Sequence, residues 1–292
     1  MKQKKNPRFR FSGSIDMEII RRQVKRHRRS VLGQWTIRIV VAAMIVTGTY
    51  LVIENQTYTS VATADSHKKD TEDSNQYIAF SDGVIRYSRD GVVFLNKKNK
   101  EKWIQPCQIQ NPIVDVNEDV FAIADVGGNT IMIFQKSGLK GEIETTLPIE
   151  KISVSNQGIV SAILKNESTP QIISYDAVGN ILVEHQVNLN STGYPISLDM
   201  SADGENLMVS YLSTKNGTLK SMVAFYNFGK EGQEKTDNLI YTEDFEQTVV
   251  PDVFYMDAST SVAVGDRSFV IYEGTKSVKK KTEVKLNQEK IG

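Results

Sequence analysis

The pattern of apolar and polar positions divides the chain into three parts. Residues 35–53 (WTIRIVVAAMIVTGTYLVI) form one apolar run whose only charged residue is Arg38. Residues 54–75 are polar and show no apolar periodicity, as in a flexible linker. From residue 76 onward, short apolar strands alternate with turn-forming residues, and helical periodicity is almost absent. The pattern therefore predicts one helix, a polar stalk and an all-β domain over residues 76–292.

The apolar run 35–53 is long enough to cross a lipid bilayer. At about 1.5 Å per residue it spans roughly 28 Å, close to the ~30 Å hydrocarbon core. Trp35 and Tyr50 suit the two membrane interfaces, and Arg38 lies one turn from the basic end, where its side chain can reach the headgroups. We therefore predict a transmembrane helix over residues 35–53, from Trp35 to Ile53.

A cleavable signal peptide is the alternative reading of the same run. Residues 62–64 (ATA) match a small-residue cleavage pattern, but they lie about ten residues beyond the apolar run. The 34 residues before the run are also long for the charged region of a signal peptide. Both observations favour an uncleaved anchor.

The distribution of charge predicts how the anchor is oriented. The formal net charge is zero, yet residues 1–38 contain twelve Lys and Arg against two acidic residues, and the remainder carries the opposite excess. Positive charge beside an apolar helix keeps that side in the cytoplasm, so residues 1–34 are predicted to lie inside and residues 76–292 outside. We expect a cluster within 21–29 to contact the anionic inner leaflet rather than nucleic acid, because no aromatic residues or known nucleic-acid-binding fold accompany it. This cluster consists of Arg21, Arg22, Lys25, Arg26, Arg28 and Arg29.

A repeat is visible in the β-rich part of the chain. An apolar strand that ends in an aromatic residue, a Gly/Asn/Lys turn and another strand recur at residues 92–104, 131–145, 172–187, 223–233 and 270–284. A half-apolar strand precedes each copy and is predicted to complete the inner pair of each unit; these strands lie within 77–91, 119–129, 158–168, 206–217 and 261–268. A period of about 40–50 residues with several strands per unit is typical of β-propeller blades. The sequence predicts an all-β propeller with about five blades.

Because the last residues, 287–292 (NQEKIG), resemble the start of a further blade, we expect two or three C-terminal blades to be missing.

The strongest single copy of the repeat lies at residues 197–212 (SLDMSADGENLMVSYL). An apolar strand leads into Ser-Ala-Asp-Gly, a tight turn in which Gly204 can adopt a positive φ, and a second strand follows. This turn resembles those of the WD40-like and PQQ-like propeller superfamily. Together with the basic tail, the single span and the polar stalk, the whole chain resembles an uncharacterised, membrane-anchored family of Gram-positive bacteria known only as a domain of unknown function. That resemblance implies a propeller and transfers no activity.

The outer domain offers few residues for chemistry. Its single histidine, His185, lies on a predicted outer strand and is expected to be solvated. The single cysteine, Cys107, excludes an intramolecular disulfide and is expected to fill space in a partly buried position. The acidic segments 115–119 (DVNED) and 242–246 (TEDFE) are interpreted as solvated turns. Trp103 is expected to pack between neighbouring blades.

These observations favour a non-enzymatic function without a metal or cofactor. We predict a binding or scaffold module at the plasma membrane, with its propeller on the outside and an envelope polymer or a membrane protein as partner. Two alternatives remain open. The chain could transmit a signal across the membrane, or it could be a quinoprotein-like or glycan-cleaving propeller enzyme, which requires convergent carboxylates or a cofactor pocket at the channel.

Overall fold

The computed structural model describes residues 17–54, 75–166, 168–215 and 217–286. The chain divides into two compact units, residues 1–70 and 71–292. Most of the predicted stalk, residues 55–74, lies outside the described residues, as does the segment 287–292.

The first unit contains one long helix, α1 (Met17–Glu54). Its segment Leu32–Ile53 is long and apolar enough to cross a membrane. Within this segment the hydroxyls of Thr47 and Thr49 donate to backbone carbonyls one turn earlier, so they need no partner outside the helix. The candidate span extends the predicted one by three residues at its N-terminal end.

The second unit consists of five antiparallel sheets, each built from four strands that are consecutive in sequence. The first two sheets contain β1 (Gln76–Phe80), β2 (Gly83–Ser88), β3 (Gly91–Asn96), β4 (Glu101–Pro106), β5 (Pro112–Asn117), β6 (Val120–Asp125), β7 (Thr130–Gln135) and β8 (Gly138–Glu144). The third and fourth contain β9 (Ile149–Val154), β10 (Val160–Leu164), β11 (Gln171–Tyr175), β12 (Ile181–Gln186), β13 (Tyr194–Met200), β14 (Asn206–Lys215), β15 (Thr218–Asn227) and β16 (Leu239–Glu246). The fifth contains β17 (Asp252–Tyr255), β18 (Thr260–Val264), β19 (Ser268–Glu273) and β20 (Lys279–Lys285). These five sheets confirm the predicted propeller architecture.

The same irregularity recurs in all five sheets. Between the third and fourth strand, the pairing register shifts by one residue at or beside the aromatic residue that ends the third strand. In the second sheet, for example, Ile133 pairs with Gly141 and Phe134 with Leu139, so Lys140 is the bulged residue. The aromatic-then-turn signal of the sequence therefore marks a conformation that all five sheets share.

Burial follows the position of each strand within its sheet. The second strands of the second and third sheets, β6 and β10, are covered on both faces and consequently consist of almost continuous apolar runs. The fourth strands lie at the outer edge, where β12 alternates between exposed and half-buried positions and every residue of β20 is exposed.

Four hydrophobic clusters join successive sheets. An aromatic cluster lies between the first and second sheets, and further clusters lie between the second and third, third and fourth, and fourth and fifth. Within the described residues, no cluster joins the fifth sheet to the first. The largest fully buried aromatic side chains of these clusters are Phe80, Phe94, Phe121, Phe134, Tyr211, Phe225 and Tyr272.

One detail of the predicted strands was wrong. In the fourth sheet, the Gly/Lys segment after β15 is not a hairpin turn: it forms a short helix, α2 (Lys230–Gln233), and a 3₁₀ turn, Thr236–Asn238, before β16 begins. The segments predicted to precede the repeat copies each contain all or nearly all of the second strand of a sheet, namely β2, β6, β10, β14 and β18, and the first segment also contains most of β1.

Candidate functional site

The first strands of neighbouring sheets lie around the centre of the propeller and carry a ladder of polar contacts. In the second, third and fourth sheets, one polar side chain of the first strand accepts a backbone N–H of the next sheet's first strand. These hydrogen bonds run from Val154 N to Asp115 Oδ2 (2.6 Å), from Met200 N to Ser153 Oγ (3.0 Å) and from Tyr255 N to Asp199 Oδ2 (2.6 Å). These hydrogen bonds link four sheets. They also provide an acceptor for backbone N–H groups of the first strands that would otherwise lack a partner.

Ser153 is the centre of this ladder. Its hydroxyl donates to Asp199 Oδ1 at 2.8 Å and is also hydrogen-bonded with Asp115. A serine hydroxyl has one hydrogen to donate, so it can serve only one of two ionised carboxylates at a time. The arrangement therefore favours a proton on one of the two aspartic acids.

Burial acts on both carboxyl groups in the same direction. It raises the pKa of Asp199 to about 6, assisted by the charge of Asp115 and opposed by hydrogen bonds from Tyr255 N–H and Ser153. Burial also raises the pKa of Asp115, against the hydrogen bond from Val154 N–H. One carboxyl of the pair consequently titrates close to neutral pH.

The ladder borders a central cavity of about 320 Å³ lined by the strands β5, β9, β13 and β17. Its lining contains four carboxylates, those of Asp115, Glu150, Asp199 and Asp252, and the ammonium group of Lys151. The excess of carboxylates makes this part of the channel a negatively charged site that favours cationic or hydroxyl-bearing groups.

Two further hydrogen bonds position two of the carboxylates that line the cavity, those of Glu150 and Asp252. The hydroxyl of Tyr194 donates to Glu150 Oε2 at 2.6 Å, and Ser197 Oγ donates to Asp252 Oδ1 at 3.0 Å. Burial and the hydrogen bond with Glu150 raise the pKa of Tyr194, so the phenol keeps its proton and remains a donor at neutral pH. Among the described residues, no three His, Cys, Asp or Glu side chains are arranged to hold a metal ion.

The interpretation of segment 115–119 as a solvated turn was wrong for Asp115. It lies inside β5, half-buried, rather than in a solvated turn, although Glu118 and Asp119 do form the turn that follows. Segment 242–246 is likewise a strand, part of β16, where Glu243 accepts hydrogen bonds from Tyr272 Oη and Lys280 Nζ.

His185 is not the solvated residue that the sequence predicted. Its ring lies 4.9 Å from Tyr226 and 6.2 Å from Phe228, centroid to centroid, and its buried Nε2 has no hydrogen-bond partner among the described residues. Burial lowers the pKa of His185, so the ring is neutral near pH 7. This environment supports a packing role for His185 against the next sheet and not a catalytic role.

The structure confirms three other sequence predictions. Trp103 packs between the first two sheets, stacked on Phe134 with a centroid distance of 5.2 Å. Cys107 is a half-buried free thiol beside the same cluster, and burial raises its pKa. Gly204 has a φ of +73°, as the Ser-Ala-Asp-Gly turn requires.

The predicted membrane residues lie on α1. Trp35, Tyr50 and Ile53 are exposed along the apolar segment, and the guanidinium carbon of Arg38 lies 5.7 Å from the centre of the Trp35 ring. The backbone of segment 21–29 is helical, but the side chains of its six basic residues lie outside the described part of the chain.

Sequence reasoning missed Ser153 and Asp199 as members of a site. A usable signal existed: each is a polar residue between two apolar ones, in Ile152-Ser153-Val154 and Leu198-Asp199-Met200, just as Asp115 lies between Val114 and Val116 in β5. Such a residue needs a partner from another element, because its own strand offers none.

Comparison with known proteins identifies the family and the fold. The model of a family of unknown function, DUF5711, matches residues 54–291. Among curated proteins, none matches this chain.

Solved propellers resemble the described structure at low sequence identity. Hsv2 from Kluyveromyces lactis aligns with a TM-score of 0.51 and 8% identity, covering 73% of this chain and 74% of that chain. Hydrazine synthase from Kuenenia stuttgartiensis aligns with a TM-score of 0.51 and 13% identity, covering 78% and 70%. The Pan2 WD40 domain of Neurospora crassa gives a TM-score of 0.48 and 13% identity over 70% of this chain, which spans only 63% of that domain. At these identities the likeness supports the β-propeller fold and transfers no activity.

Proposed function

We propose, because the chain belongs to the DUF5711 family of unknown function and folds as a β-propeller, that it is a binding module held at the outer face of the plasma membrane. In this proposal α1 is an uncleaved anchor, the basic N-terminal tail lies in the cytoplasm, and the propeller binds an envelope polymer or a membrane protein. A candidate membrane span that precedes the propeller in the sequence is compatible with this arrangement. The function is non-enzymatic.

The observation that carries the proposal is the acidic cavity between β5, β9, β13 and β17. Four sheets contribute to it, so a ligand there contacts the propeller where the inner strands hold the side chains rigidly. Glu150 and Asp252 line the cavity and each already accepts one hydrogen bond from a neighbouring hydroxyl, which fixes the direction of the carboxylates. Ammonium and hydroxyl groups are the complementary ligand chemistry.

Soluble peptidoglycan fragments with free amino groups test this binding directly. We expect them to bind the purified full-length chain in detergent, measured by isothermal titration calorimetry. Replacing both Glu150 with Gln and Asp252 with Asn removes two cavity charges while keeping the shape of the side chains. We expect this double variant to bind at least tenfold more weakly, since each charge-assisted hydrogen bond contributes about 1.5–3 kcal/mol.

The matched control is Glu142→Gln, which removes an exposed carboxylate on β8 outside the cavity. It should bind the fragments as the native chain does. Acetylating the amino groups of the fragments should weaken binding to the native chain. Absence of binding, or an equal affinity for the double variant, would refute an acidic binding channel.

The proposed orientation predicts which end of the chain a protease reaches. When intact expressing cells that have lost their wall are treated with proteinase K, a tag at the C-terminus should disappear while a tag at the N-terminus persists on a small fragment. Permeabilised cells should lose both tags. An N-terminal tag that separates from the propeller before any protease is added would instead indicate a cleaved signal peptide.

A further inference from the structure

Lysine side chains cross the junctions between sheets on one face of the propeller. This face carries the first and third turns of every sheet, because consecutive antiparallel strands place these two turns at the same end. Lys136, in the third turn of the second sheet, pairs with Asp82 in the first turn of the first sheet at 2.6 Å. Lys276, in the third turn of the fifth sheet, pairs with Glu231 of α2 in the fourth sheet at 2.6 Å. At both junctions an ammonium group of one sheet therefore meets a carboxylate of its neighbour.

Lys140 joins the second and third sheets on the same face. It is the bulged residue of the second sheet, and its ammonium group donates to the carbonyl oxygen of Gln157 in the first turn of the third sheet. That turn, Ser-Asn-Gln-Gly, ends in Gly158, which has a φ of +83°. A Cβ at Gly158 would lie 3.2 Å from Cε of Lys140, so the turn glycine leaves room for the lysine stem.

The junction between the third and fourth sheets has the same backbone arrangement but no lysine. The register of β11 and β12 makes Leu182 the bulged residue, in the position that Lys140 holds in the second sheet. The first turn of the fourth sheet ends in Gly204 just as that of the third sheet ends in Gly158, and both glycines have a positive φ. Leu182 is 50% exposed and carries no charge. Among the described residues, no ion pair joins the third sheet to the fourth.

A cavity of about 300 Å³ lies at this junction. Ile159, Leu182 and Phe228 give it an apolar wall, and the carboxylates of Asp203 and Glu205 belong to the same lining. This combination suits a side chain that has an apolar stem and a cationic end. An amino sugar fits less well, because its ammonium group is attached directly to a ring covered with hydroxyl groups.

The two carboxylates differ in the partners they already have. Asp203 Oδ1 accepts hydrogen bonds from Ser201 Oγ at 2.6 Å and from the N–H of Glu205 at 3.0 Å, which fix it in the turn. Within the described part of the chain, the carboxylate of Glu205 accepts no hydrogen bond and forms no ion pair. Its charge acts on Lys276, but that ammonium group pairs with Glu231 instead. Glu205 is therefore available to a cation from another molecule.

We propose that this cavity binds a lysine or arginine side chain of a partner protein. The stem of that side chain packs on the apolar wall, and its cationic end meets the carboxylates of Glu205 and Asp203. The contact corresponds to the one that Lys140 makes at the preceding junction, with the cation supplied by another molecule. The site shares no lining residue with the central cavity between β5, β9, β13 and β17, and it does not depend on the ligand proposed for that cavity.

The test uses the full-length chain in detergent and the acetylated, amidated peptide Ala-Leu-Lys-Leu-Ala, titrated by saturation-transfer difference NMR. We expect this peptide to bind at least tenfold more tightly than the same peptide with norleucine in place of lysine. Replacing Asp203 with Asn and Glu205 with Gln together should weaken its binding at least tenfold. Asparagine keeps an acceptor for the N–H of Glu205, so this double variant should retain the native circular dichroism spectrum. The control Glu142→Gln, an exposed carboxylate on β8, should bind the peptide as the native chain does.

Leu182→Lys gives the decisive result, because it supplies the missing ammonium group from within the chain. We expect this variant to bind the lysine peptide at least tenfold more weakly than the native chain does, and to unfold at the native temperature or above. Leu182→Met keeps an uncharged side chain at the same position and should bind the peptide with native affinity.

Equal affinities for the lysine and norleucine peptides, or an unchanged affinity in the Asp203 and Glu205 double variant, would overturn the proposal. Binding that is lost in the Glu150→Gln and Asp252→Asn variant, but kept in the other double variant, would overturn it by assigning the cation to the central cavity. A native chain that binds glucosamine and not the peptide would overturn the protein partner and assign the site to an envelope polymer.

Discussion

Replacing Phe134 with alanine lowers the free energy of unfolding by about 3–5 kcal/mol, the usual loss for a fully buried aromatic residue. The ring is completely buried between the first two sheets, stacked on Trp103 and 5.8 Å from Phe121. Trp103 is held in place by a hydrogen bond from its indole nitrogen to the carbonyl of Lys136 at 3.1 Å, which opposes its movement into the cavity. Urea denaturation of the full-length chain, followed by circular dichroism, measures the loss.

The control for this variant is Leu139→Ala on the adjacent strand. Leu139 pairs with Phe134 across the sheet but is 43% exposed, so its truncation should cost less than about 1 kcal/mol. A loss below 1 kcal/mol for Phe134→Ala would mean that the first two sheets are not held together by this cluster.

The pH dependence of stability should identify the Asp199 carboxyl. Its pKa is about 6 in the folded chain against an ordinary 3.8, so the protonated form is favoured by folding. The stability that this group contributes is therefore complete below about pH 3.8 and is lost as the pH rises through about 6. A difference of about two pKa units corresponds to about 3 kcal/mol, and Asp115 acts in the same direction.

Asp199→Asn removes the titration while keeping an acceptor for Tyr255 N–H and adding a donor toward Ser153. We expect the native chain, compared with this variant, to lose about 2 kcal/mol of unfolding free energy between pH 4.5 and 7.5. Parallel stability curves for the two proteins across this interval would show that Asp199 titrates normally.

The fold was predictable because its signals are local. Each strand–turn–strand unit near Phe94, Phe134 or Tyr175 carries its own apolar alternation and its own turn residues, and the helix is a continuous apolar run. The fourth unit misled the prediction since Gly229 and Gly232 resemble a hairpin turn. Gly229 instead precedes a short helix and Gly232 lies inside it, where its N–H donates to the side-chain oxygen of Asn227.

The candidate site could not be predicted in the same way. Asp115, Ser153 and Asp199 are separated by 38 and 46 positions, and their partners belong to other sheets. Which polar strand residues meet depends on the packing angle and register of whole sheets, and no local pattern encodes either. A polar residue between two apolar ones within a strand indicates only that a partner exists.

The outermost strand of the fifth sheet has a consequence for aggregation. β20 reads Lys-Lys-Lys-Thr-Glu-Val-Lys, and all seven residues are exposed along a free edge. Unpaired strand edges are templates onto which other chains add as cross-β structure. Two such edges brought together would place lysines about 5 Å apart across the new ladder, where like charges repel. The four lysines of β20 therefore oppose fibril-like growth from this edge, even though the neighbouring face of the same sheet is apolar.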